Sequence, residues 1–104
     1  MVAKFFLSQE ALDDLDSIWD YIAQDDAEAA DRVVESAYRA CAKLATHPHL
    51  GPLRRFPDNS LPEIRFFVLT DFPNYLIFYR IAPEGVEVIR VLHAAQDLDD
   101  LFGA

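Results

Sequence analysis

The sequence predicts an α/β domain of the α+β kind, with an antiparallel helical hairpin packed on an antiparallel sheet. Three observations carry that expectation. Apolar residues recur at helical spacing from Ala11 to Leu44, with one break near Gln24. Two runs rich in β-branched and aromatic residues, Tyr75 to Ile81 and Val86 to Leu92, flank Pro83-Glu84-Gly85, which has the composition of a hairpin turn. Finally, 104 residues with 52% hydrophobic content suffice for one core and not for two, so residues 1–104 are expected to form a single domain.

Val2 to Leu7 reads as a short strand, and Ser8 as the N-cap of the helix after it. Ala11, Leu12, Leu15, Ile18, Trp19 and Ile22 form that helix's apolar stripe, opposite Asp13, Asp14, Ser17, Asp20 and Gln24. Asp25 with Glu28 three residues later resembles a capping box for a second helix. Its stripe runs Ala30, Val33, Val34, Ala37, Cys41 and Leu44 until Pro48 stops it, a length of roughly 30 Å at about 1.5 Å per residue. So short a break makes the two helices antiparallel neighbours.

Between His47 and Glu63 four prolines, Pro48, Pro52, Pro57 and Pro62, together with Gly51 predict a long connection without regular structure. Ile64 to Thr70 is the next apolar strand, and Asp71-Phe72-Pro73-Asn74 turns the chain into the hairpin. A three-residue loop at Pro83, Glu84 and Gly85 would set Ala82 opposite Val86. One face then carries Leu76, Phe78, Arg80, Val88, Arg90 and Leu92; the other carries Tyr75, Ile77, Tyr79, Ile89, Val91 and His93. Both faces are largely apolar, which places the hairpin inside the sheet and obliges Arg80 and Arg90 to find a rim, a carboxylate or a ligand. Gln96 to Phe102 is expected to form a short final helix, with Asp97 near its positive end.

A net charge of −9 argues against a surface built for nucleic-acid phosphates. Its distribution is uneven: residues 1–46 hold ten acids and four bases, residues 47–93 five of each, and residues 94–104 three acids and no base. The later bases are Arg54, Arg55, Arg65, Arg80 and Arg90, so an acidic helical side and an arginine-bearing sheet and loop side are expected. Met1 to Leu7 contains only a short apolar run broken by Lys4, and no stretch of about 18 apolar residues follows, so a soluble, cytoplasmic protein is expected. Cys41 is the one cysteine and sits on the helical core stripe, which excludes an internal disulfide and a thiolate-pair zinc site. A helix spreads Asp13, Asp14 and Asp16 around its axis, and His47 and His49 straddle Pro48 without a nearby third ligand. No metal and no cofactor is expected.

Ser8-Gln9-Glu10-Ala11, Ile18-Trp19-Asp20-Tyr21-Ile22, Ala29-Ala30-Asp31-Arg32, His49-Leu50-Gly51, Tyr75-Leu76-Ile77-Phe78-Tyr79-Arg80 and Arg90-Val91-Leu92-His93-Ala94-Ala95-Gln96-Asp97 carry a family likeness. With the order of elements, they make the chain resemble the RelE/ParE superfamily of toxin–antitoxin toxins, in the ParE branch of plasmid stabilisation toxins. The resemblance covers essentially the whole chain. It departs at Gln96, where the branch commonly has arginine, and in the acidic balance.

This resemblance implies the toxin of a type II toxin–antitoxin pair, acting by binding DNA gyrase and silenced in a hetero-oligomer with a ParD-like antitoxin. Direct nucleic-acid or membrane binding is not implied, and no catalytic residue is required. Arg65, Arg80, Arg90 and His93 are the expected partner-binding residues. The superfamily also contains ribosome-dependent messenger-RNA endonucleases, whose 2′-hydroxyl attack needs a base, cations for the phosphorane and an acid. Where the RelE-like enzymes place basic residues, this chain has Phe66, Phe67, Val68 and Leu76 and, after the last strand, Gln96 or Asp97; where they place a tyrosine near the terminus it has Phe102. The ribonuclease alternative therefore rests on His93 with Arg65 and Arg90. A third reading is a module that binds an antitoxin and is no longer toxic.

Overall fold

The computed structural model describes residues 3–54 and 63–96. In chain order these form β1 (Lys4–Leu7), α1 (Gln9–Ala23), α2 (Ala27–Thr46), β2 (Leu53–Arg54), β3 (Ile64–Val68), β4 (Tyr75–Ala82) and β5 (Gly85–His93). From Asp97 onward the expected final helix lies outside the described residues, as does Val2 at the start of the expected first strand.

Two helices pack on a five-stranded sheet of order β1-β5-β4-β3-β2. Its pairs are antiparallel except that of β1 with β5, which is parallel, so the first and last strands are neighbours. The proline-rich connection contributes β2, where Leu53 pairs with Arg65 and Arg54 with Ile64. Two paired residues beside a proline are too short to leave a periodic signal.

Ser8 caps α1 as expected, its backbone extended and its hydroxyl accepting the Ala11 amide at 3.0 Å. For α2 the cap is Asp26 rather than Asp25: its carboxylate accepts the Ala29 amide at 3.1 Å. The displacement has a cause in the preceding helix, whose closing turn uses the amides of both Asp25 and Asp26 on the Ile22 carbonyl.

The main core lies between the helices and one face of the sheet. Ala11, Leu15, Ala37, Cys41 and Leu44 meet Ile77, Tyr79, Val86, Val88 and Val91 there. Cys41 is only 1% exposed, and burial pushes its thiol up to about 12, so it is an inert packing residue. On the opposite face Ile64, Phe78 and Leu92 form a second apolar cluster flanked by Phe66, Leu76 and Ile89.

The hairpin differs from expectation at two points that compensate. Its loop is Pro83-Glu84 alone, with Ala82 opposite Gly85, rather than a three-residue loop with Ala82 opposite Val86. Gly85 is already strand, because β1 lies against it and the Lys4 amide donates to the Glu84 carbonyl at 2.9 Å. A β-bulge between Phe78 and Tyr79 then leaves Tyr79 opposite Val88 but Phe78 opposite Arg90, with Ile89 as the additional residue. The extra residue turns Val88 to the helix face and Ile89 to the other, the reverse of simple alternation. Beyond the bulge the expected register returns, and Tyr75 faces His93.

Candidate functional site

The bulge is where α1 grips the sheet. β1 ends at Leu7, so among the described residues the edge of β5 opposite β4 has no strand beside it beyond Val88, and side chains of the cap and first helix take over. The Ser8 hydroxyl donates to the Ile89 carbonyl at 2.7 Å, and the Ser8 amide donates to the Val88 carbonyl at 2.9 Å. Asp14 accepts both Nε and Nη2 of Arg90 at 2.8 Å, and its Oδ2 also accepts the Val91 amide at 3.0 Å. With side chains only 21% and 13% exposed, Arg90 and Asp14 form a fork-to-carboxylate strut inside the fold. The Asp14 hydrogen bond raises the Arg90 pKa above its ordinary value against the opposing effect of burial.

The other expected site residues have separate settings. Arg80 pairs with Glu87 directly across the hairpin rather than with an acid of the helices, and both are solvent-facing. Arg65 donates from Nη1 to the Gly51 carbonyl at 2.7 Å. Nearby, the buried Tyr79 hydroxyl donates to the Pro48 carbonyl at 2.7 Å and accepts the Gly51 amide at 2.9 Å. Together they pin the start of the long connection to the sheet. We expect Tyr79→Phe to leave that amide and carbonyl unpaired and to destabilise the fold by about 2 kcal/mol in urea unfolding. A loss below about 0.5 kcal/mol would mean that water satisfies both groups as well as the phenol does.

Arg65 and Arg80 share a depression of about 180 Å³ with Glu63 and Ile81. His93 is not part of it. Arg65 pairs with Tyr79 while His93 pairs with Tyr75, two strands and four residues apart. At about 3.3 Å per residue and 4.8 Å per strand, that separates their Cα atoms by roughly 16 Å.

His93 instead lines a groove of about 500 Å³ with Ser17, Ile18, Tyr21, Tyr75 and Gln96. Its Nδ1 accepts the Ala95 amide at 3.0 Å, which fixes the tautomer with the proton on Nε2 when the ring is neutral. Its own amide donates to Gln96 Oε1 at 2.8 Å, and its ring stands edge-on to Tyr75 at 5.3 Å between centroids. Burial raises the Tyr75 phenol pKa, and the neighbouring Tyr21 adds to it. Tyr21 itself is 73% exposed. The expected register already set Tyr75 opposite His93, whereas sequence reasoning did not bring Tyr21 to them. The available signal was Tyr21 itself, a large aromatic standing off the apolar stripe of α1.

The fold and the groove can be set beside known proteins. Residues 5–98 match the family described as ParE toxin of type II toxin-antitoxin system, parDE. The chain belongs to the ParE toxin family. It is 42% identical over 86 residues to Y4kP of Sinorhizobium fredii, covering 83% of this chain and 82% of that one. Toxin RelE2 of Caulobacter vibrioides is 34% identical over 95 residues, 91% of this chain and 99% of RelE2. Toxin ParE1 of Mycobacterium tuberculosis is 29% identical over 101 residues, 95% of this chain and 97% of ParE1. The solved chromosomal ParDE TA system from P. aeruginosa superposes with a TM-score of 0.68 at 21% identity, over 86% of this chain and 94% of that chain. That likeness is one of fold. Both the ParE and RelE names occur among the relatives of this ParE-family toxin, so its chemistry has to be argued from its own residues.

Proposed function

We propose that this type II toxin acts in the cytoplasm by binding and poisoning DNA gyrase, without a chemical step of its own, and that a ParD-like antitoxin silences it by covering its surface. The observation that carries the reading is the Arg90–Asp14 strut. Phosphoryl transfer needs uncompensated cations converging on the phosphorane and a base beside the attacking hydroxyl. Here Asp14 neutralises Arg90, Arg65 is held on the Gly51 carbonyl, and His93 stands in a separate groove. Phe66, Phe67, Val68 and Leu76 occupy the positions where a RelE-like ribonuclease has basic residues. The groove offers an exposed tyrosine, a second phenol and an imidazole, side chains suited to anchoring a protein surface. The antitoxin part of the reading draws support from the ParDE system whose fold this chain shares.

Purified toxin should inhibit gyrase supercoiling or trap cleaved DNA while leaving messenger RNA on ribosomes uncut. Tyr21→Ala, a substitution of an exposed side chain, should weaken the effect on gyrase by about tenfold or more. Ribosome-dependent cleavage that is abolished by His93→Ala, with gyrase unaffected, would replace this reading by the ribonuclease one.

A further inference from the structure

The helical side is not uniformly acidic. Of the four bases in residues 1–46, only Lys4 lies outside α2; the others are Arg32, Arg39 and Lys43. At 3.6 residues per turn these three and Ser36 fall within an arc of about 60°, along roughly 16 Å of the helix. Among the described residues none of the three cations has an ion-pair partner. All three are exposed, while Ser36 is buried.

Arg39 and Lys43, with Ser36 and Ala40, form one wall of a cleft of about 170 Å³ between α2 and the end of β3. Phe67 lies opposite, its ring centroid 5.8 Å from Lys43 Nζ, and Thr70 and Asp71 close the end. Among the described residues Asp71 is the one carboxylate lining this cleft, against two cations. A cationic row beside an aromatic floor is an unusual feature on a chain of net charge −9.

We infer that this cleft takes an acidic amphipathic segment of the antitoxin, a helix whose carboxylates, four and seven residues apart, face Lys43, Arg39 and Arg32 while an apolar side chain covers Phe67. The inference rests on the antitoxin reading above and names its site. Charge complementarity selects this occupant. A nucleic-acid duplex carries a phosphate charge about every 1.7 Å of its axis and would meet the repulsion of the whole acidic molecule. A short segment with two or three carboxylates meets Arg32, Arg39 and Lys43 against Asp71 and the Glu28 and Glu35 carboxylates one helical turn away, and is spared most of the remaining acids, because charges beyond about 8 Å are screened at physiological salt. The arginine forks suit carboxylates in two-point contact.

The test is calorimetric titration of the full-length toxin with its cognate antitoxin, at salt concentrations of about 0.05 M and 0.3 M. Arg39→Gln with Lys43→Gln should raise Kd about tenfold or more at low salt and flatten its salt dependence, and Arg39→Glu with Lys43→Glu should raise it further. Lys4→Gln, which removes one exposed positive charge on β1, serves as the control and should bind like wild type. Circular dichroism and melting confirm that each variant is folded; the substituted α2 side chains are exposed and, among the described residues, form no ion pair. Unchanged affinity in both double variants, with wild type binding normally, would overturn this site and leave the antitoxin reading standing. Failure of wild type to bind would overturn that reading and this occupant together. Binding of a DNA or RNA duplex that the same substitutions abolish would assign the row to phosphates and overturn the acidic-peptide inference.

Discussion

Gly85→Ala should destabilise this toxin by about 3 kcal/mol or more, combining an unfavourable backbone conformation with a backbone clash. Gly85 has φ +154°, and a Cβ built there stands 1.7 Å from the Lys4 carbonyl oxygen and 2.9 Å from the Lys4 nitrogen. These are main-chain atoms, so no rotamer change relieves the contact, and β1 has to lift from β5. The lost pairing would run from Lys4↔Gly85 toward Leu7↔Val88, while the Ser8 hydrogen bonds hold the far end. Denaturant unfolding with amide exchange checks this: protection in Lys4 to Leu7 should fall first. A loss below about 1 kcal/mol with unchanged exchange would show that β1 sits on β5 less tightly than its register implies.

The second large effect is expected at Asp14. Asp14→Ala removes one carboxylate and strands three N–H groups, two on Arg90 and the amide of Val91, in a partly buried setting. The cost should be about 3 kcal/mol. Arg90→Ala should cost less, because Asp14 keeps the Val91 amide as a partner. In the double variant the buried cation is gone, so the two effects should add to less than their sum by about 1 kcal/mol or more. Strict additivity would show that the guanidinium is solvated and that the strut contributes nothing. Since Arg90 acts inside the fold, its loss should lower the melting temperature of the free toxin before it alters any complex.

Local pattern was legible wherever it was long. The stripes of α1 and α2, the Ser8 cap, the turn at residues 71–74 and the hairpin strands all follow from periodicity and capping chemistry. The exceptions have physical causes. β2 is two residues long, and the Asp25 cap lost to Asp26 because the end of α1 recruits both amides. The hairpin register was misplaced by one from Tyr79 to Ala82 because the contact of Gly85 with β1 is non-local and sequence cannot show it. At the site, charge type was readable but pairing was not. Arg90 and Asp14 lie 76 residues apart, and nothing near either residue announces the other. The cationic row of α2 was countable from sequence, yet it drew no notice because the total for residues 1–46 is so strongly acidic.

The parallel neighbours β1 and β5 join the two ends of the chain, with Ser8 reaching a partner 81 residues away. In the order of synthesis, β1 and both helices emerge while the strand that receives them has not yet been made. At about 5–20 residues per second a chain of this length takes roughly 5 to 20 s to translate, and contacts of such long range close last. The groove that sets Ser17, Ile18 and Tyr21 of α1 against Tyr75 and His93 is assembled only by that closure. A chain that stops before β5 therefore lacks the groove through which we propose the toxin binds gyrase.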